Sequence, residues 1–314
     1  MKTAIVIGCL GQDGVLLKSH LIENAYQVIG VDVNYIESSF EYSKVPIDIC
    51  NEREVCELVR SSNPSEIYHL AAVHHSAEDR MMTSLDLFQK SFGTNTFSLI
   101  YFLEAMLKCA PQARLFYAAS SHIFEETNGV NDEGSSINPS SVYGITKAAG
   151  LFICRYYRKE HALFASCGIL YNHESSLRSN NFISKKITKG AIKVRDRLQD
   201  KILLGDLSAE ADWGYAPDYV KAMHKMLCMD HSDDFIIATG QKHSVSEFAE
   251  IAFQRFGLNW TDYVEENKNI LTRKPVCRVG NPSKLMLKTG WKPSIDFKEM
   301  IKVLLNEEGA FEKE

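Results

Sequence analysis

The stretch Ala4-Ile5-Val6-Ile7-Gly8-Cys9-Leu10-Gly11-Gln12-Asp13-Gly14 decides the fold. Its first four residues form a continuous apolar run without alternation, the pattern of a strand buried on both faces of a parallel sheet. Gly8, Gly11 and Gly14 follow as a G-x-x-G-x-x-G turn, and Gly14 to Asn24 has helical spacing. At such a strand-to-helix turn, missing Cβ atoms let the backbone approach a pyrophosphate at a helix N-terminus. Gln12 and Asp13 lie inside the turn and are expected to belong to the same cofactor cradle.

Outward from this turn, Tyr26 to Val31 is a second apolar run, Val55 to Arg60 is helical, and Glu66 to Ala71 is a third run. A helix around Leu99 to Lys108, a strand at Arg114 to Ala118, a helix from Tyr143 to His161 and a strand at Phe164 to Leu170 continue the series. This alternation predicts an α/β fold, a doubly wound Rossmann parallel sheet of about six strands. After Asn172 the texture changes to polar loops, basic helices and short strands, with turn signals at Asn281-Pro282 and Lys292-Pro293. The expected division is a dinucleotide-binding domain over 1–170, with a return segment near 210–240. Residues 171–314 are expected to be mainly a smaller α+β substrate domain.

Asp32 ends the second strand, where a carboxylate accepts hydrogen bonds from adenosine ribose hydroxyls. It would repel a 2′-phosphate, and the following Val33-Asn34-Tyr35-Ile36 offers no Arg to neutralise one, so NAD is expected in preference to NADP. Asp48 and Ile49 are placed beside the adenine. Leu70, Ala71 and Ala72, a small-residue run after His69, suit close backbone approach to the cofactor.

The chain has 314 residues, 45% of them hydrophobic and 24% charged, which fits a globular enzyme and excludes disordered and fibrous classes. Net charge is −5 and the 35 basic residues are scattered, so a nucleic-acid partner has no electrostatic support. The densest cationic stretch, Ser184 to Arg197, reads either as a solvated helix face or as a site for one phosphorylated ligand. Eight cysteines without CxxC or zinc spacing predict free thiols in a reducing compartment and no metal. No stretch approaches the ~20 apolar residues of a membrane span, and the first apolar run is shorter than a signal-peptide core. A cytoplasmic protein without a membrane partner is expected.

Among thirteen tyrosines only Tyr143 has a Lys four positions on. On a helix that spacing places Tyr143 and Lys147 on one face, where an ammonium near a phenol helps it take a proton from an alcohol as hydride leaves carbon. Both residues would also face the cofactor. The preceding strand ends Ala119-Ser120-Ser121-His122, and a Ser120 hydroxyl there is placed to hydrogen-bond the reacting alcohol, with Ser121 beside it as a substrate contact.

Gly8 to Gly14, Asp32, Ser120, Tyr143 and Lys147 together resemble an extended short-chain dehydrogenase/reductase. More narrowly, the chain resembles the GDP-mannose 4,6-dehydratase family over nearly its whole length. The matching stretches include Gly11-Gln12-Asp13-Gly14, Asn172-His173-Glu174-Ser175, Lys185-Lys186-Ile187-Thr188, Asp212-Trp213-Gly214 and Gly290-Trp291-Lys292-Pro293. The resemblance implies a GDP-sugar substrate, oxidation at C4, loss of water across C5 and C6, and return of the hydride. It also implies that Asn172, Lys186 and Arg273 contact the nucleotide diphosphate.

Two departures alter that expectation. Where the dehydratases carry Thr-Ser-Glu, this chain has Ser120-Ser121-His122, so a histidine replaces the carboxylate that takes the C5 proton. Where they carry an Arg pair after the second strand, this chain has Val33 and Asn34, which favours NAD and weakens the case for the family's tetramer. The simplest outcome is a GDP-sugar 4-dehydrogenase acting on GDP-manno-hexose or GDP-manno-heptose, with chemistry stopping at the 4-ketone. A dehydratase or epimerase using His122 stays open, as does a catalytically silent nucleotide-binding sensor. The helices Leu99 to Lys108 and Tyr143 to His161 carry Tyr101, Phe102, Phe152, Tyr156 and Tyr157 on more than one face, and a homodimer through them is expected.

Overall fold

The computed structural model describes residues 1–33, 43–44, 47–73, 83–126, 129–271 and 276–311. Strands β1 (Lys2–Ile7), β2 (Tyr26–Val31), β3 (Ser43–Lys44), β4 (Glu66–His69) and β5 (Arg114–Ser120) are followed by the short β6 (Val130–Asn131) and by β7 (Phe164–Leu170). Three more short strands, β8 (Asn172–Glu174), β9 (Ile202–Leu204) and β10 (Glu210–Ala211), precede β11 (Trp213–Tyr215) and β12 (Asp234–Ile237). The central sheet has seven parallel strands in the order β12-β7-β5-β4-β1-β2-β3. The expectation of about six misses the two-residue β3, too short for a periodicity to register. β12 lies in the return segment expected near 210–240.

Helices α1 (Gln12–Glu23), α2 (Glu52–Ser62), α3 (Ser84–Phe92), α4 (Ser98–Cys109) and α5 (Val142–His161) belong to the first half of the chain. They are followed by α6 (Ile183–Arg195), α7 (Ala216–Leu227), α8 (Val245–Gln254), α9 (Ser283–Thr289) and α10 (Phe297–Phe311). The apolar runs of the strands divide between two faces. Ile5 and Ile7 pack with Val55 and Val59 of α2, Phe102 and Met106 of α4, and Leu151 and Cys154 of α5. Ala4 and Val6 pack with Leu17 and Leu21 of α1 and with Tyr219, Met223 and Met226 of α7. Burial on both faces is what makes Ala4 to Ile7 of β1 continuously apolar. A third core joins Ile187 and Ala191 of α6, Phe248 of α8 and Met300, Ile301 and Leu304 of α10.

The helix read from Leu99 continues backward: α3 and α4 are joined through a π-helical turn over Gly93–Phe97. The third strand stops at His69 instead of Ala71, because the chain leaves the ladder where it meets the glycine turn. All eight cysteines are free. Among the described residues, no helix is long and apolar enough to cross a membrane, and no group of three or more His, Cys, Asp or Glu could hold a metal ion.

Candidate active site

Parallel register brings the carboxyl ends of β1, β2 and β4 level, with Ile7 opposite both Val31 and His69. The strand order reverses direction beside β1, and ligands of open α/β sheets bind in the crevice outside such a point. Gly8 sits there with φ +84°, and its amide donates to the Val31 carbonyl at 2.8 Å. A Cβ on Gly8 would come within 2.8 Å of Ala71 N. On Gly14 it would overlap the Gly8 carbonyl oxygen and approach Cys9 Cα to 2.6 Å. The turn therefore folds tightly on itself and against Leu70 and Ala71 of the segment after β4.

Helix α1 is capped by Gly11 without a side-chain acceptor for its first amides. A helix end of this kind suits an anionic phosphate oxygen. Leu10 N donates to Asp32 Oδ2 at 3.0 Å, so this carboxylate is tied to the turn at the end of β2. Ile49 is buried in the core beneath β2, while Asp48 is exposed and its Oδ1 accepts from Cys50 N at 2.9 Å. Leu70 N donates to the Ile7 carbonyl at 3.0 Å. Gly8, Leu10, Asp32 and Leu70 thus gather at the carboxyl ends of β1, β2 and β4.

Gln12 and Asp13 reach across the cleft to strand β8. His173 Nε2 lies 3.0 and 2.9 Å from the two Asp13 carboxylate oxygens, and its Nδ1 lies 2.6 Å from the Tyr171 carbonyl. Gln12 Nε2 donates to the His173 carbonyl at 3.1 Å, and Ser175 Oγ donates to Gln12 Oε1 at 2.8 Å. Asn172, the residue before His173, is exposed. His173 and Ser175 thus fasten the glycine turn to β8 and the residue after it.

The catalytic candidates meet at the end of β5. Ser120 Oγ accepts from His122 N at 3.3 Å and caps the one-turn helix Ser121–Ile123. Ser121 is buried there. Ser141 Oγ accepts from Gly144 N at 3.1 Å, starting α5 so that its first turn carries Tyr143. Burial pushes the Tyr143 phenol up to about 12, while the Ser120 hydroxyl and then the Arg178 guanidinium pull it back. The His122 and Tyr143 rings meet edge to face, 5.7 Å between centroids. Lys147 Nζ lies 5.8 Å from the Tyr143 ring and donates to the Ala118 carbonyl at 2.7 Å. Burial pushes this ammonium down to about 7. Ser120, His122, Tyr143 and Lys147 are brought together, Tyr143 and Lys147 on one face of α5 as their four-residue spacing predicts.

Two residues escape a sequence reading. Asn95, fully buried in the π-helical turn, accepts from Val73 N through Oδ1 at 2.9 Å and donates to Thr146 Oγ1 at 2.9 Å. Its carbonyl accepts from the Tyr117 hydroxyl at 2.8 Å. It therefore ties the segment after β4 to the helix carrying Tyr143 and Lys147. A helix widened around a polar residue was the available signal, but π-turns have no sequence signature. Arg178 stacks its guanidinium on Phe182, 3.6 Å from the ring centroid, and faces Glu174 Oε2 through Nε at 3.3 Å.

The basic stretch at α6 divides unexpectedly. Lys185 is buried, pairing with Glu308 Oε1 at 3.1 Å and donating to the Ser176 carbonyl. It is a core ion pair and not part of a solvated face, whereas Lys186 is half-buried on the same helix. Arg273, Asn34 and the adjacent His74 and His75 lie outside the described residues.

A family model described as GDP-mannose 4,6 dehydratase matches residues 5–304. GDP-mannose 4,6 dehydratase 1 of Arabidopsis thaliana is 31% identical, covering 98% of this chain and 90% of that protein. The GDP-mannose 4,6-dehydratase of Vibrio cholerae is 27% identical, covering 98% and 94%. Among solved structures, the chain is similar to dTDP-glucose 4,6-dehydratase from Bacillus anthracis in complex with NAD, with TM-score 0.84, 18% identity and coverage of 100% and 98%. UDP-glucose 4-epimerase from Thermus thermophilus in complex with NAD gives TM-score 0.81 at 20% identity, covering 97% and 98%. The structural likenesses establish the extended Rossmann fold, and the sequence matches establish more: this chain belongs to the GDP-mannose 4,6-dehydratase family.

Proposed function

We propose that this enzyme oxidises a GDP-sugar, GDP-manno-hexose or GDP-manno-heptose, at C4 to the 4-keto sugar, with NAD as cofactor. The observation that carries this reading is the meeting of Ser120, Tyr143 and Lys147 beside the glycine turn, with His122 where the resemblance calls for a glutamate. Bound NAD would supply the hydride acceptor. Gly8, Gly11 and Gly14 would line its pyrophosphate, Asp32 would face the ribose hydroxyls, and Asp48 and Ile49 would flank the adenine side.

Tyr143, as phenolate, takes the C4 hydroxyl proton while Ser120 hydrogen-bonds the same oxygen. Lys147, anchored on the Ala118 carbonyl with Nζ 5.8 Å from the Tyr143 ring, would favour the phenolate while it carries its proton. Asn172, Lys186 and Arg273 would bind the diphosphate, with Ser121 contacting the sugar. With His122 in place of that glutamate, oxidation would end at the ketone. A second reading has one observation in its favour: the His122 ring abuts Tyr143 and is only half-buried, so an imidazole base reaches the reacting end of the cleft.

The test is to mix the enzyme with NAD and each GDP-manno-sugar in turn and follow the near-ultraviolet absorbance of NADH. Appearance of NADH with one sugar, equal to the enzyme in a single turnover, supports oxidation at C4. A bound cofactor that no GDP-sugar ever reduces would favour the silent sensor.

We further propose a homodimer through α4 and α5. Phe152 and Tyr156 on α5 are 51% and 55% exposed, and Phe97, just before α4, is 50% exposed. Tyr157 and Phe102, in contrast, are buried within the chain. Large apolar groups gathered on two packed helices suit a second copy, which would complete a four-helix bundle. Phe152→Glu combined with Tyr156→Glu is expected to shift sedimentation from dimer to monomer, and a wild type that sediments as a monomer contradicts the dimer.

A further inference from the structure

The His173 ring is enclosed by groups that settle its charge. Both of its nitrogens face groups that only accept, the Asp13 carboxylate and the Tyr171 carbonyl, so the ring carries both protons. One ring face stacks on Tyr219 of α7 with 4.5 Å between centroids. Gln12 of α1 touches the His173 carbonyl, Glu174 follows it on β8, Arg178 stands in the following loop, and Tyr143 faces the cleft from α5. Burial opposes the imidazolium, yet the Asp13 charge and hydrogen bond outweigh it and hold the His173 pKa above its ordinary value. The partner carboxylate is held below its ordinary value: burial pushes it up, and His173, Gln12 and Arg178 more than offset this.

Asp13 stands in the first turn of α1, the end to which a pyrophosphate is drawn. A bare carboxylate there would compete with that anion, and its charge also raises the Tyr143 phenol. We propose that His173 is a positioning residue that neutralises Asp13 and turns it toward β8, leaving the α1 amino terminus open to the cofactor's pyrophosphate. The same latch holds β8, and with it Asn172, against the glycine turn. This rests on the dinucleotide reading of the cleft.

The sign of the pH effect follows from the raised His173 pKa. As pH rises through it, the ring loses its proton, Asp13 stays charged with only Gln12 and Arg178 set against it, and dinucleotide affinity falls. Titrating NAD into wild type, His173→Ala and the Asp13→Asn/His173→Ala pair by calorimetry separates charge from structure. His173→Ala should bind NAD about tenfold or more weakly, and the double variant should regain most of that loss and lose the alkaline fall in affinity. His173→Gln, which keeps a hydrogen-bond donor without the charge, supplies the same comparison should the alanine variant not fold.

A double variant as weak as His173→Ala, or wild-type affinity that is flat with pH, overturns the proposal. So does a single variant that binds like a competent wild type. A wild type that binds neither NAD nor NADP instead overturns the dinucleotide reading itself, and this proposal with it.

Discussion

Tyr143→Phe should lower the rate of cofactor reduction by GDP-sugar about 10³-fold or more while leaving NAD affinity roughly unchanged. The phenol stands at the junction of β5 and α5, in contact with Ser120 and edge to face with His122. Removing its oxygen removes the proton acceptor without changing the ring that packs there. Single-turnover kinetics by NADH absorbance, with a parallel NAD titration, checks both halves. Burial raises the phenol pKa to about 12, so more of the base is available as pH rises. The wild-type rate should accordingly increase with pH across the neutral and mildly alkaline range, and that slope should vanish in the variant. Retention of near wild-type turnover by Tyr143→Phe would remove Tyr143 from the chemistry.

Gly14→Ala should damage both stability and cofactor binding. The added methyl would meet the Gly8 carbonyl oxygen and Cys9 Cα, backbone atoms of the same turn that cannot rotate aside as a side chain can. Relief requires α1 to move away from β1, which opens the Leu17 and Leu21 packing on the sheet and displaces the turn. Destabilisation of about 3 kcal/mol or more is expected, with NAD affinity reduced about a hundredfold. Urea denaturation and a NAD titration of the folded variant measure the two effects. A Gly14→Ala enzyme of normal stability and affinity would contradict the tight turn on which the cofactor site is built.

The parallel sheet was legible because its strands are buried on both faces and therefore read as unbroken apolar runs; Phe164 to Leu170 was read with its observed limits. The glycine turn and Tyr143 with Lys147 were legible because local spacing fixes their geometry. What was not legible depends on partners distant in the chain. Gln12 and Asp13 read as cofactor contacts, and nothing near them announces that His173 and Ser175 will meet their side chains. Lys185 and Lys186 are chemically alike as letters, and only the approach of Glu308 from α10 makes one a buried partner. Asn95 was hidden because a π-turn follows from how α3 and α4 join, and Arg178 because its importance lies in reaching Tyr143 and Asp13 through space.

The most direct test of oxidation at C4 without dehydration is mass spectrometry of GDP-mannose and GDP-manno-heptose after incubation with the enzyme in D2O, with NAD and a ketoacid acceptor. The account predicts a product lighter by two hydrogens, formed with NADH or reduced acceptor and with no water lost. A product that has lost water and gained deuterium would contradict it, and would make this enzyme a 4,6-dehydratase in which His122 or another group takes the C5 proton.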